Sequence, residues 1–302
     1  MSPRSVRQAP DNGATRPKAT APAAGRLAAL RFTRRKESWV AESGGCFYKI
    51  PRASEDPLLD LDDPDCIATA RREFSDLRFL HALDAAACRP ERIDGACVVY
   101  PGLGGPDLRT LLLRRGPPAF RIAALQAAMR LLARLHHADA SAFPARDYRH
   151  GTFLAPTGAV LERMWRRPRT LVVTGFEARN FRYDQPRATW CFFDPHHLWR
   201  GCPEEDFARF VVSLLMLRGR RGGPRAWTRF DRGRLLAAYE SLAPASLDKP
   251  LLNYFLRERL AMRRFHALRS ARRLRPVARV FAVAYTRLCY RQLQRALRSR
   301  PF

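Results

Sequence analysis

The chain of 302 residues is 46% hydrophobic and carries a formal net charge of +27 at pH 7. That apolar fraction suffices for a packed core and excludes wholesale disorder. No run approaches the ~18–20 uncharged apolar residues that a membrane-crossing helix needs.

The N-terminus lacks an apolar h-region, so no secretory signal is expected. Cys46, Cys66, Cys88, Cys97, Cys191, Cys202 and Cys289 are scattered without a CxxC pair, which points to reduced thiols in a cytoplasmic protein rather than a disulfide frame or zinc site. The charge is concentrated at the ends. Residues 1–36 hold nine Lys/Arg against Asp11, and residues 259–302 hold thirteen Arg and no acid, which leaves +6 for the body between them. Such ends suit an anionic membrane surface, an acidic partner or nucleic acid; a coding bias toward arginine on solvated surfaces is the plainer reading.

Residues 1–26 lack periodicity and read as a disordered basic arm. From Leu27 short strands are expected: LAALRF, SWVAE and, after the turn signal Ser43-Gly44-Gly45, CFYKI. The acidic stretch SEDPLLDLDDPD lacks calcium-loop spacing and reads as a solvated loop capping the next helix. In that helix Ile67, Ala70, Phe74, Leu77 and Leu80 fall at helical intervals. RPERIDGACVVYP ends in a strand, GLGGPDL reads as a flexible connector, and IAALQAAMRLLARLHHA as a buried helix. LVVTG and ATWCFFD are expected as strands around a loop, GFEARNFRYD. PEEDFARFVVSLLML opens a helix with Pro203 and acids, as a helix N-terminus favours. The rest is helical and Arg-rich, and Pro276 marks the start of a last helix with Val277, Phe281, Ala284, Tyr285 and Leu288 on one face. Strands followed mostly by helices imply an α+β chain.

This order of elements resembles the protein-kinase-like superfamily, nearest in style to aminoglycoside and choline phosphotransferases and lipopolysaccharide-core sugar kinases. The resemblance covers about residues 28–240. It implies a bilobal fold, with a small antiparallel-sheet N-lobe at 27–101, a larger and mostly helical C-lobe at 102–258, and an Arg-rich helical extension at 259–302. Lys49 in CFYKI is similar to the strand lysine that contacts nucleotide phosphates, and Glu73 in ARREFSDL to the helix glutamate paired with it. VVYPGLGGPDL resembles the hinge that cradles adenine. Asn180 in GFEARNF and Asp194 in WCFFDP resemble the residues that hold magnesium on the phosphates. Asp206 resembles a buried helix aspartate that braces the catalytic loop. The cofactors implied are ATP and magnesium.

The residue types fit that chemistry. A tethered lysine supplies a cation to phosphate oxygens, and magnesium prefers hard oxygen ligands such as a carboxylate and an amide carbonyl. Each residue also has an ordinary reading: Lys49 as an edge-strand side chain reaching water, Glu73 as an exposed helix acid beside Arg71 and Arg72, and Asp194 as a turn residue before Pro195. His136, His137, His196 and His197 are assigned no chemistry.

Two positions depart from the family pattern. The usual catalytic aspartate, five residues before the asparagine, is replaced by Gly175. The phosphate-covering hairpin FTRRKES has no glycine, though Arg34, Arg35 and Lys36 are cations that could meet phosphate. Glu177, in the same loop, is the candidate catalytic base, with a pairing to Arg179 or Arg182 as its alternative role. The leading expectation is an ATP- and magnesium-dependent phosphotransferase acting on a small molecule or a cell-envelope glycolipid sugar. A pseudokinase used as a regulatory or scaffold module is the alternative, and a nucleic-acid-binding protein a weaker one. The location expected is cytoplasmic, peripheral at the inner face of a membrane.

Overall fold

The computed structural model describes residue 27 and residues 29–34, 38–51, 61–113, 117–216 and 232–299. The arm at 1–26, Arg35, Lys36 and the acidic stretch from Ser54 to Asp60 lie outside these residues. The chain divides into two compact units, one of Met1–Phe79 with Cys88–Gly102 and one of Leu80–Ala87 with Leu103–Phe302.

The first unit is built on an antiparallel sheet. Its strands are β1 (Thr33–Arg34), β2 (Ser38–Ser43), β3 (Cys46–Pro51), β4 (Arg92–Asp94) and β5 (Cys97–Pro101), in the order β1-β2-β3-β5-β4. Ser43 pairs with Cys46, so Gly44 and Gly45 form a two-residue hairpin loop with φ of +57° and +73°. That geometry excludes most side chains and sets the register of β2 against β3. Phe32, Trp39, Ile50, Cys97 and Val99 form the core of this unit. Helix α1 (Pro64–Leu83) follows the sheet's first three strands, and the Asp63 carboxylate accepts the Asp65 N–H at 2.8 Å to cap it. Ala70, Leu77 and Leu80 are fully buried along α1, as their spacing requires.

Leu27–Phe32 is not the expected strand. Leu27 and Leu30 close a turn through a 3.0 Å backbone hydrogen bond, and pairing begins only at Phe32. Leu27 and Phe32 are both buried in the core, while Ala29 and Arg31 are exposed.

The second unit is mostly helical. Its elements are β6 (Gly104–Asp107), α2 (Leu108–Leu113), α3 (Pro118–His137), α4 (Gly158–Arg166), β7 (Thr170–Thr174), β8 (Phe181–Asp184), β9 (Thr189–Phe192), β10 (His197–Gly201), α5 (Pro203–Leu215), α6 (Arg232–Glu240), α7 (Lys249–Ala271) and α8 (Pro276–Ser299). Ala124, Ala128, Leu131, Leu132 and Leu135 make α3 a buried helix. Phe176, Phe181, Phe192 and Phe210 pack ring against ring in the core.

Here the strand pairing corrects the sequence reading. LVVTG and ATWCFFD hold strands β7 and β9 as expected, but the loop between them does not extend over all of GFEARNFRYD. Residues 181–184 are themselves a strand, and β8 pairs with β9 as a hairpin, while β7 pairs with β10. GLGGPDL is likewise ordered, because β6 pairs with β8. Strands of four or five residues carry too little periodicity to name their partners.

In helix α5 the first-turn acids Glu204, Glu205 and Asp206 are all buried, as the resemblance implied for Asp206. Glu205 receives Arg259, Arg209 and the Tyr148 hydroxyl, and Glu204 receives Arg167 and the Asp248 N–H. Burial alone would raise the Glu205 carboxyl, but Arg259, Arg209 and Arg146 outweigh it and hold it below the usual range.

Candidate functional site

In the first unit, Lys49 lies on β3, whose neighbours are β2 and β5: it sits across from Val40 on one side and Val98 on the other. It is therefore on a central strand, not an edge. Its side chain is buried, and its Nζ lies 2.8 and 2.7 Å from the two oxygens of Glu73 on α1. Glu73 is itself buried, which sets aside its reading as an exposed helix acid. The Tyr100 hydroxyl, at the end of β5, donates to the same carboxylate. A buried ion pair of this geometry locks a cation at a defined point on a rigid strand. Tyr100 was not legible as a partner, since a tyrosine in a strand carries no sign of where its hydroxyl points. Arg34, the hairpin cation that is described, lies over the Trp39 ring at 5.9 Å.

In the second unit, the β8–β9 hairpin brings Asn180 and Asp194 together. Phe181 pairs with Phe192, and the Phe193 N–H donates to the Asn180 carbonyl at 2.9 Å, so the residues fourteen apart in sequence flank one hairpin end. The Asn180 amide nitrogen donates to the Gly175 carbonyl at 2.8 Å and reaches the Asp194 carbonyl at 3.5 Å. Both partners are acceptors, so the nitrogen must face them and the amide oxygen is the atom left for a ligand. Asp194 has φ of +63°, a left-handed backbone that aspartate tolerates better than most residues. Strain of this kind clusters where a side chain must be presented in one direction. Its carboxylate lies 4.0 Å from His196 Nε2.

The loop between β7 and this hairpin is tightly held. Asp206 is buried on α5 and accepts the Val173 N–H at 2.6 Å, while the Ala178 N–H donates to the Ser213 hydroxyl at 2.8 Å. Burial raises the Asp206 carboxyl and lowers the adjacent His136, pushing both toward their neutral forms. His136 Nδ1 lies 2.6 Å from the Tyr239 hydroxyl.

Gly175 stands where the resemblance expects an aspartate. Its φ is +102°, and a β-carbon built there would lie 2.7 Å from the Asp194 carbonyl oxygen and 2.9 Å from the His196 ring. No side chain fits. Glu177 is buried nearby, and both its oxygens are engaged: Arg263 of α7 hydrogen-bonds one, and Arg179 Nε lies 3.0 Å from the other. The pairing with Arg179 was one of two legible choices, and the bond to Arg263, 86 residues away, was not legible.

Among the described residues no group of three or more His, Cys, Asp or Glu gathers as a metal cluster. The Asn180 amide oxygen and the Asp194 carboxylate are hard-oxygen donors on residues at that one hairpin end. That fits magnesium, which takes one or two protein oxygens and completes its shell with phosphate and water.

No family model matches the sequence, and no curated protein matches it. Solved structures do. The amicoumacin kinase hAmiN, solved with AMP-PNP, Ca2+ and Ami, superposes with a TM-score of 0.53 at 13% identity, over 87% of this chain and 88% of that one. The gentamicin–APH(2")-IIa complex gives 0.52 at 14% identity over 85% and 88%. A choline/ethanolamine kinase family protein from Mesorhizobium loti gives 0.51 at 11% identity over 87% and 90%. The chain has the protein-kinase-like fold of these small-molecule kinases.

Proposed function

We propose that this protein binds ATP with magnesium and transfers its terminal phosphoryl group to a hydroxyl of a small molecule or a cell-envelope sugar. The observation that carries the reading is the Asn180 amide, whose nitrogen is tied to the Gly175 and Asp194 backbone carbonyls, which turns its oxygen away from them as a ligand atom. The buried Lys49, tethered by Glu73, supplies the cation for the phosphates. Asn180 and Asp194 would hold the magnesium, which when bound neutralises phosphate oxygens. Two of the similar structures hold a nucleotide or its analogue together with a small molecule, AMP-PNP with Ami and ATP with streptomycin, which supports the same class of reaction here.

In the transfer, the acceptor oxygen bonds to the terminal phosphorus, the bond to the bridging oxygen breaks, and ADP leaves with that electron pair. The acceptor proton passes to Glu177 in our reading, which requires the carboxylate to give up a contact with Arg179 or Arg263. Phosphoryl transfer depends mainly on positioning and charge, and a general base contributes about 10²–10⁴-fold. The reaction is therefore expected to be slow. We place the protein in the cytoplasm at the inner face of a membrane, where a cell-envelope acceptor would be met.

A second reading has its own observation. Gly175 cannot carry the usual aspartate, which favours a nucleotide-binding pseudokinase without turnover. One experiment addresses both. Magnesium–ATP at about 100 times its dissociation constant should stabilise the protein by about 2.7 kcal/mol in a thermal-shift titration. Asp194→Ala should remove most of the magnesium dependence. Absence of any shift with purine nucleotides would overturn both readings; a shift without phosphate turnover on an acceptor panel would select the pseudokinase.

A further inference from the structure

We propose that the outward face of α8, with the basic turn before it, is a docking surface for an anionic lipid bilayer. Helix α8 packs on α7 through one side only. Tyr290 and Leu293 are buried in a cluster with Leu260, and Thr286 is buried beside them. On the opposite side Val277, Phe281 and Leu288 are 72%, 70% and 56% exposed, with Val280 at 68% and Tyr285 at 46%. These positions recur every three or four residues and form one stripe along the helix. The inward packing that the same pattern also allowed is thus taken by a different set of residues.

An exposed stripe of this kind is uncommon on a protein surface and marks something that covers it. The surrounding charge identifies the partner. Arg272, Arg273 and Arg275 are exposed in the turn before α8, and Arg287, Arg291 and Arg295 are exposed along it. No acidic residue occurs between Arg259 and the C-terminus. A second copy of this chain would bring the same arginines into repulsion. Nucleic acid would satisfy the arginines but leave Val277, Phe281 and Leu288 in water. An anionic bilayer satisfies both, since the apolar stripe enters the acyl boundary while the guanidinium groups meet lipid phosphates. No helix among the described residues is long and apolar enough to cross a membrane, so α8 would lie in the plane of the surface. The surface uses none of the residues assigned to the nucleotide, and its test fails separately from theirs.

The full-length protein is mixed with vesicles of phosphatidylcholine alone or phosphatidylcholine with phosphatidylglycerol, and bound protein is measured by flotation. We expect at least about tenfold stronger partitioning to the anionic vesicles, weakened by high salt. Phe281→Ser with Leu288→Ser should reduce it by about tenfold or more with an unchanged melting temperature, because both side chains are exposed. Arg287→Gln with Arg291→Gln should also reduce it. Equal binding to neutral vesicles, or none to either, overturns the proposal. So does apolar-variant binding equal to wild type, steep salt-dependent binding to DNA without vesicle binding, or a dimer that Phe281→Ser dissolves.

Discussion

The Asp194 carbonyl oxygen occupies the space that a side chain on residue 175 would need, 2.7 Å from where its β-carbon would stand. The loss of the usual aspartate is therefore built into the backbone. Gly175→Asp should not restore a catalytic base. It should lower stability by about 1–3 kcal/mol from the left-handed backbone alone, with a further cost as Asp194 and His196 shift. Thermal melts check this, and a Gly175→Asp variant that is as stable as wild type and faster in transfer would refute it.

Lys49 and Glu73 form a buried pair, and removing one partner strands the other's charge. Lys49→Met is expected to cost about 3–5 kcal/mol, and the double change Lys49→Met with Glu73→Leu to cost less than the two singles summed. Chemical denaturation of the three variants measures the coupling. Strict additivity would show that the two groups do not interact.

Glu177→Gln keeps the shape of the loop but cannot accept a proton. Turnover should fall at least about tenfold while the nucleotide-induced thermal shift stays nearly the same. Unchanged turnover would leave Glu177 as a loop anchor to Arg263 and Arg179 alone. If Asp194→Ala also leaves observed turnover untouched, that activity belongs to a contaminant.

Asp76, half-buried one turn beyond Glu73 on α1, has its carboxyl pushed by burial from 3.8 up to about 6, with Arg72 opposing and Glu73 adding to the shift. The folded protein therefore holds this proton where the unfolded chain has released it. Stability from this group is present below the unfolded value and is lost as pH rises toward 6. Asp76→Asn, which mimics the protonated form, should melt higher than wild type above pH 6 and equally below pH 3.8. Melting curves across that range test the sign.

Much of the site was legible because its chemistry depends on residue type at a local position. A lysine between apolar neighbours in CFYKI, an asparagine and an aspartate fourteen apart, and a helix opened by Pro203 are all read within short windows. In the structure Lys49 lies against Glu73, and the Asn180 amide nitrogen reaches the Asp194 backbone carbonyl.

What the sequence determined by itself was the type and order of most elements, since periodicity, prolines and glycine pairs act over a few residues. Partners were decided only by the tertiary structure. β8 pairs with β9 and β7 with β10, Arg263 reaches back 86 residues to Glu177, and Gly175 is glycine because a carbonyl nineteen positions later fills its side-chain space. The face that α8 buries was settled in the same way: Tyr290 and Leu293 meet Leu260, and the more apolar stripe is left outward. A helical pattern shows that a face exists, but which face is covered depends on what the rest of the chain places beside it.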